Sequence, residues 1–229
     1  MTLSLTERYQ KVIDQVQQAA LKREGDVTLI AVSKTHPLEK IEELYNLGQR
    51  DFGENYVQEL VEKAGQLEKR GCTGIRWHFI GHLQSNKIKA LVPWVDSVHS
   101  IDSLRVGEEL SKRWEIAGRD GSLPVFIEVN LDRESTKSGI FPENTPKFAE
   151  ALSHNPKLQL MGLMSIPKPG TRERMSGAFQ SLRELEKQCR PFTQDALSMG
   201  MSDDFELAIQ AGATHVRVGT ALFGPRKDR

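Results

Sequence analysis

Apolar residues in this chain fall into short, nearly continuous runs, separated by longer stretches in which they recur every three or four positions. The runs at 27–33, 50–54, 76–80, 95–99, 124–130, 158–164, 195–198 and 214–218 read as strands. Val27-Thr-Leu-Ile-Ala-Val32, Val125-Phe-Ile-Glu-Val129 and His215-Val-Arg-Val218 are the clearest, being rich in β-branched residues. Near-continuous apolar runs suit strands buried on both faces of a parallel sheet. Between them the period changes. Leu38, Ile41, Leu44 and Leu47 recur at helical spacing before Gly48, a natural helix stop. Ala178, Leu182, Leu185 and Cys189 repeat that spacing, and Ser202 reads as the cap of a helix carrying Phe205, Leu207, Ala208 and Ile209 and ended by Gly212.

Strand runs alternating with helical stretches predict an α/β fold, a (β/α)8 TIM barrel rather than an open sheet. Only eleven residues follow the last strand run, too few for a full closing helix. The segment Thr6 to Arg23 is helical in composition and is expected to cover the face left open, as an extra N-terminal helix. No linker, low-complexity tract or repeat divides the chain, so residues 1–229 read as one domain.

Composition narrows the partners. Thirty-one basic residues balance 31 acidic ones, so no global field steers the chain toward nucleic acid or a membrane surface. Arg226-Lys227-Asp228-Arg229 reads as a solvated tail, and no stretch reaches the roughly 20 apolar residues of a membrane span. The polar N-terminus lacks a signal-peptide core, and Cys72 and Cys189 are isolated thiols, which fits a reducing cytoplasm.

Chemistry in such a barrel collects at the carboxyl ends of the strands. Lys34 stands there on the first strand, just before Pro37 opens a helix. A strand-end lysine is either solvated or ion-paired, or it aims its amine into a closed site. In the second case its pKa, about 10.4 when free, has to be depressed for the neutral amine to form an imine. Barrels often seat phosphate on the loops after strands seven and eight, which here hold Ser198-Met-Gly200 and Gly219-Thr220. Asp203 and Asp204 would occupy the following helix end, so the amides of those two loops are the expected seat. An amine at one end and a phosphate seat at the other suggest a phosphorylated aldehyde held as a Schiff base. Arg217, inside an apolar strand, requires compensation. Pointing inward it would meet a carboxylate or a ring nitrogen, and a buried ion pair with a neighbouring strand is the alternative. Glu54, Asn55, His78, Asn130 and Ser165 are further polar groups in or at the ends of strands, while His78, His82 and His99 lack metal-ligand spacing.

Leu29–Lys34 with Thr35, Asp51-Phe-Gly-Glu-Asn-Tyr-Val-Gln-Glu59, Trp77-His-Phe-Ile-Gly81 with Leu83–Lys87, Lys137-Ser-Gly139, Gly162-Leu-Met164, Leu197–Asp204 and Val216–Gly224 together resemble the pyridoxal phosphate homeostasis protein family. The resemblance runs in order through almost the whole chain. It implies a barrel similar to the N-terminal domain of alanine racemase, with pyridoxal 5′-phosphate as cofactor. Lys34 would be the Schiff-base lysine, and Ser198, Gly200, Gly219 and Thr220 would hold the phosphate. Arg217 would face the pyridine nitrogen, and Asn55, His78 and Met164 would line the pocket. Lys137 stands where racemase-like barrels place a basic residue near the phenolic oxygen.

The same resemblance implies a cytoplasmic, monomeric, non-catalytic carrier that contributes to vitamin B6 homeostasis and makes transient contacts with pyridoxal phosphate-dependent apo-enzymes. A racemase needs a second acid/base group, and Tyr9, Tyr45 and Tyr56 are the only tyrosines in the sequence, while no further domain is expected after the last strand. A low-activity amino-acid racemase is the alternative, and a colourless Schiff-base aldolase acting on a sugar phosphate is a third reading.

Overall fold

The computed structural model of the chain describes residues 3–21 and 25–225. Arg23 and the basic tail at 226–229 lie outside them. Strands β1 (Thr28–Val32), β2 (Asp51–Glu54), β3 (Arg76–Phe79) and β4 (Ser97–Ile101) form the first half of a parallel sheet. Strands β5 (Leu123–Glu128), β6 (Leu158–Met164), β7 (Ala196–Ser198) and β8 (His215–Val218) form the second. The sheet closes in sequence order, with β8 paired to β1, as the alternation of periods predicts.

Helices α1 (Leu5–Ala20), α2 (Leu38–Asn46), α3 (Val57–Lys69), α4 (Ile88–Leu91) and α5 (Leu104–Ile116) accompany the first half. Helices α6 (Thr145–Ser153), α7 (Arg172–Gln188), α8 (Phe205–Gln210) and α9 (Thr220–Phe223) accompany the second. The expected N-terminal cover is α1. Ser4 and Glu7 form a reciprocal capping box at its start, and Leu5, Val12, Val16 and Ala19 are buried. It packs on α2, α8 and the short α9, supplying the face that a full closing helix would otherwise cover. None of the described helices is long and apolar enough to cross a membrane.

Two strand boundaries move for identifiable reasons. The run at 95–99 becomes a strand only from Ser97, because the Val95 amide is held by Leu91 O in the turn after α4. The run at 124–130 stops at Glu128, because the segment around Ile140 folds back. Val129 bridges Ile140 while its amide still reaches the Met164 carbonyl at 2.8 Å, and the Ile140 carbonyl takes the Asn130 amide at 3.0 Å. The Asn130 side chain then donates to the carbonyls of Glu134 and Lys137, which closes that loop.

The apolar core lies mainly between sheet and helices. It is one continuous cluster from Leu5 to Phe223, while Phe126, Met164 and Ala196 form a separate small cluster. Beside Ile30, Val32 and Ile80, the rest of the barrel interior carries Asp51, His78, His99, Ser198 and Arg217, all buried. Such interiors are usually filled by Val, Ile and Leu, so this polar filling requires internal hydrogen bonding. Two glycines are dictated by close approach. A side chain at Gly162 would collide with the Ala196 carbonyl, and one at Gly81 with the Asn55 carbonyl, so Gly81 lets the β2–α3 turn pass.

Candidate functional site

At the carboxyl ends of the strands lies a cavity of about 200 Å³. Lys34 and His36 from the loop after β1 and Asn55 from the end of β2 form one wall. Gly219 and Thr220 after β8 face Met201, Ser202 and Asp203 after β7, and Val32, Ile80 and Ile166 give apolar sides. Arg217 contributes from β8 below. A groove of about 830 Å³ adjoins this cavity, sharing Met201, Ser202, Asp203 and Thr220, and one of about 710 Å³ opens elsewhere; neither is lined by Lys34 or Arg217.

Five of the nine residues expected at the cofactor, Lys34, Asn55, Arg217, Gly219 and Thr220, thus share one cavity. The other four stand behind it. Met164 is fully buried in the small interior cluster. Gly200, at φ +93°, is required by α8, since a Cβ there would come within 2.5 Å of the Ala208 Cβ, and its carbonyl accepts the Arg217 amide at 3.0 Å. Ser198 has its hydroxyl committed between Arg217 and His99. His78 lies deeper, between His99 and Asp51. Lys137, paired with Glu134 at 2.6 Å, lines a neighbouring cleft that shares only Ile166 with this cavity.

Ser202 is not the helix cap its position suggests. Asp204 takes the N-cap position of α8, accepting the Met201 amide at 2.6 Å. The Ser202 hydroxyl instead accepts the amides of Gly219 (3.3 Å) and Ala221 (3.1 Å), tying the loop after β7 to the loop after β8. Its membership in the Leu197–Asp204 motif is the only sequence signal for that role. His36 stacks on Phe223 with ring centroids 4.6 Å apart, which the sequence does not signal.

Arg217 points inward and meets no carboxylate directly. It donates to Ser198 Oγ at 2.8 Å and to the Ser165 carbonyl at 2.9 Å. Burial lowers its pKa to about 10 against the opposing fields of Glu128 and Asp204, so it remains a cation at neutral pH. From Ser198 the bonding continues down the barrel, to His99 Nδ1 at 2.8 Å, on to His78 at 3.0 Å, and to Asp51 Oδ1 at 3.0 Å. Burial holds His99 well below the usual histidine range, with the charges of His78, His215 and Arg217 adding to the effect. Burial alone would raise Asp51, but hydrogen bonds from His78 and Arg76 and their charges outweigh it and bring its pKa down to about 2. A neutral His99 donates once and accepts once, and the bonds form one relay from Arg217 through Ser198, His99 and His78 to the Asp51 carboxylate. The buried cation thus reaches its counter-charge through three intervening side chains.

A second polar network backs the Lys34 loop from outside the barrel. Ser33 Oγ donates to Glu54 Oε1 at 2.6 Å, and Lys63 of α3 bonds that same oxygen at 2.8 Å. Burial pushes Glu54 up to about 7 against the favourable charge of Lys63. His82 is exposed and pairs with Asp102 at 3.1 Å. Among the described residues no group of three or more His, Cys, Asp or Glu side chains could hold a metal ion.

The profile of the alanine racemase N-terminal domain family matches residues 7–227. The pyridoxal phosphate homeostasis protein of Pseudomonas aeruginosa is 45% identical over 219 residues, covering 93% of this chain and 91% of that one. The chain belongs to the pyridoxal phosphate homeostasis protein family. The Escherichia coli K12 member is 41% identical over 230 residues, with 94% of each chain covered. Among solved structures, PipY of Synechococcus elongatus with pyridoxal phosphate bound superposes with a TM-score of 0.85 at 35% identity, over 96% of this chain and all of that one. For this family member the expected barrel is therefore the observed one.

Proposed function

We propose that this protein binds pyridoxal 5′-phosphate, tethers it covalently through Lys34, and contributes to vitamin B6 homeostasis as a carrier without turnover. The single observation that carries this reading is the shared cavity. One cavity brings a half-buried lysine together with a buried guanidinium and a loop pair rich in small residues and hydroxyls. The cofactor's aldehyde supplies the electrophile with which the Lys34 amine condenses, releasing one water.

The residues present fit such a molecule. The buried Asn55 Oδ1 has no hydrogen-bond partner among the described residues, so a donor on a bound ligand would satisfy it. Ser202, Gly219 and Thr220 form the side suited to an anion, with Ser198 and Gly200 supporting from behind. Arg217, held from below by Ser198 and Ser165, presents its remaining N–H donors to an acceptor such as a pyridine nitrogen. Arginine keeps its proton at neutral pH, so that nitrogen stays largely unprotonated and the ring is a weak electron sink. No tyrosine lines the cavity. Both points favour holding over transformation and would let the cofactor pass intact to apo-enzymes.

Purified protein mixed with pyridoxal phosphate is expected to show a visible absorption band that borohydride converts to a stable adduct on the peptide containing Lys34. Lys34→Ala is expected to abolish the adduct while retaining weaker phosphate-anchored binding. An adduct on another lysine would overturn the assignment. Exchange of solvent protons into the α-position of a panel of L-amino acids checks the carrier reading, and robust turnover dependent on Lys34 would replace it with the racemase.

A further inference from the structure

Lys34 is flanked by two residues whose backbones are held by a charged cluster that does not line the cavity. On one side, Ser33 is fixed at every polar group. Its amide donates to Gly53 O at 3.0 Å, its hydroxyl to Glu54 Oε1 at 2.6 Å, and its carbonyl accepts Lys63 Nζ at 2.7 Å. On the other side, the Thr35 amide donates to Glu59 Oε1 at 2.6 Å. Thr35 adopts φ +65°, the left-handed region that a β-branched residue occupies only when its surroundings enforce it.

Lys63 joins the two sides. Its ammonium reaches Ser33 O, Glu54 Oε1 (2.8 Å) and Glu59 Oε1 (2.7 Å), one acceptor for each of its three N–H donors. Its side chain is 8% exposed, that of Glu54 0% and that of Glu59 23%. A buried ion cluster of this kind contributes little net stability over apolar packing, because desolvation offsets the attraction. What it does contribute is geometry, since it locks the ends of β1 and β2 to the first turns of α3.

We propose that Glu54, Glu59 and Lys63 form a positioning clamp that sets the presentation of the Lys34 amine, and so governs capture of the aldehyde without touching the ligand. The inference deepens the proposed function and rests on Lys34 being the tether. Its signature is selective. Capture of pyridoxal phosphate depends on where the amine stands, whereas binding of pyridoxamine phosphate, with the same ring and phosphate but no aldehyde, does not.

The test compares wild type, Glu59→Ala, Glu59→Gln and Lys63→Met with both ligands, reading the visible band for pyridoxal phosphate and calorimetry for pyridoxamine phosphate. Glu59→Ala is expected to slow band formation on the order of ten- to a hundredfold. Pyridoxamine phosphate affinity should stay within about twofold, since its ring and phosphate contacts are untouched. Glu59→Gln, which keeps an acceptor for the Thr35 amide, should recover part of the rate. Lys63→Met should act in the same direction, and because it strands a buried carboxylate, the more exposed Glu59 position decides the matter. Normal band formation in Glu59→Ala, or equal weakening of both ligands, overturns the clamp. A wild-type protein lacking a borohydride adduct on Lys34 overturns the tether itself.

Discussion

The two buried polar networks of this barrel handle charge in opposite ways. On the axis, Arg217 and Asp51 are kept apart and joined through Ser198, His99 and His78. Behind β1, Lys63 touches Glu54 and Glu59 directly. The difference follows from what each must leave available. A carboxylate in direct contact with Arg217 would occupy the donors that face the cavity, whereas the relay neutralises the cation from below and leaves its upper edge to a ligand. Lys63 has no ligand to meet, so contact pairing is free to saturate it.

The contrast is open to direct attack, beginning with the largest effect. Lys63→Met leaves Glu54 buried without its ion, and unfolding free energy in urea should fall by about 4 kcal/mol near neutral pH and above. The loss should shrink in mild acid, where the stranded carboxyl takes up a proton. An equal loss at all pH values would show that Glu54 was never the affected partner.

Glu54 and Asp51 should also give stability limbs of opposite sign. Glu54 has a folded pKa of about 7, above its ordinary 4.5. Its contribution is complete below that ordinary value and disappears as pH rises through the folded one, about 3 kcal/mol over the window. Glu54→Gln should remove this limb, so the difference in urea midpoint from wild type should change between pH 4.5 and 7. Asp51 behaves conversely, with its folded pKa of about 2 below the ordinary 3.8. Its stabilisation is present above that ordinary value and lost as pH falls through the folded one, about 2 kcal/mol in all. Asp51→Asn should flatten the acid limb alone. Limbs of the same sign in both variants would erase the distinction between relay and clamp.

Much of this architecture was legible in the residues. Strand runs such as Val27–Val32 and His215–Val218 announce themselves because a parallel strand is buried on both faces and has little room for polar residues. Lys34 and Arg217 were legible for the converse reason, as charges placed where apolar residues are the rule. Side-chain partners were less legible. The hydroxyl of Ser198 bonds His99, 99 positions away in the chain, a partner that no local pattern announces. Ser202 looked like a helix cap and instead ties two loops together. Lys63 carried no signal at all, since a lysine on an amphipathic helix is ordinarily solvated.

The order and type of the elements, and the two charges that mark the carboxyl ends of β1 and β8, are properties of the linear chain, because periodicity and local burial act over a few residues. Which polar groups pair was decided only by barrel closure. Closure sets the register that turns His78, His99 and Arg217 inward and leaves Glu54 facing α3, and hydrogen bonding in a low-dielectric interior depends on ångström-scale placement that no local pattern encodes.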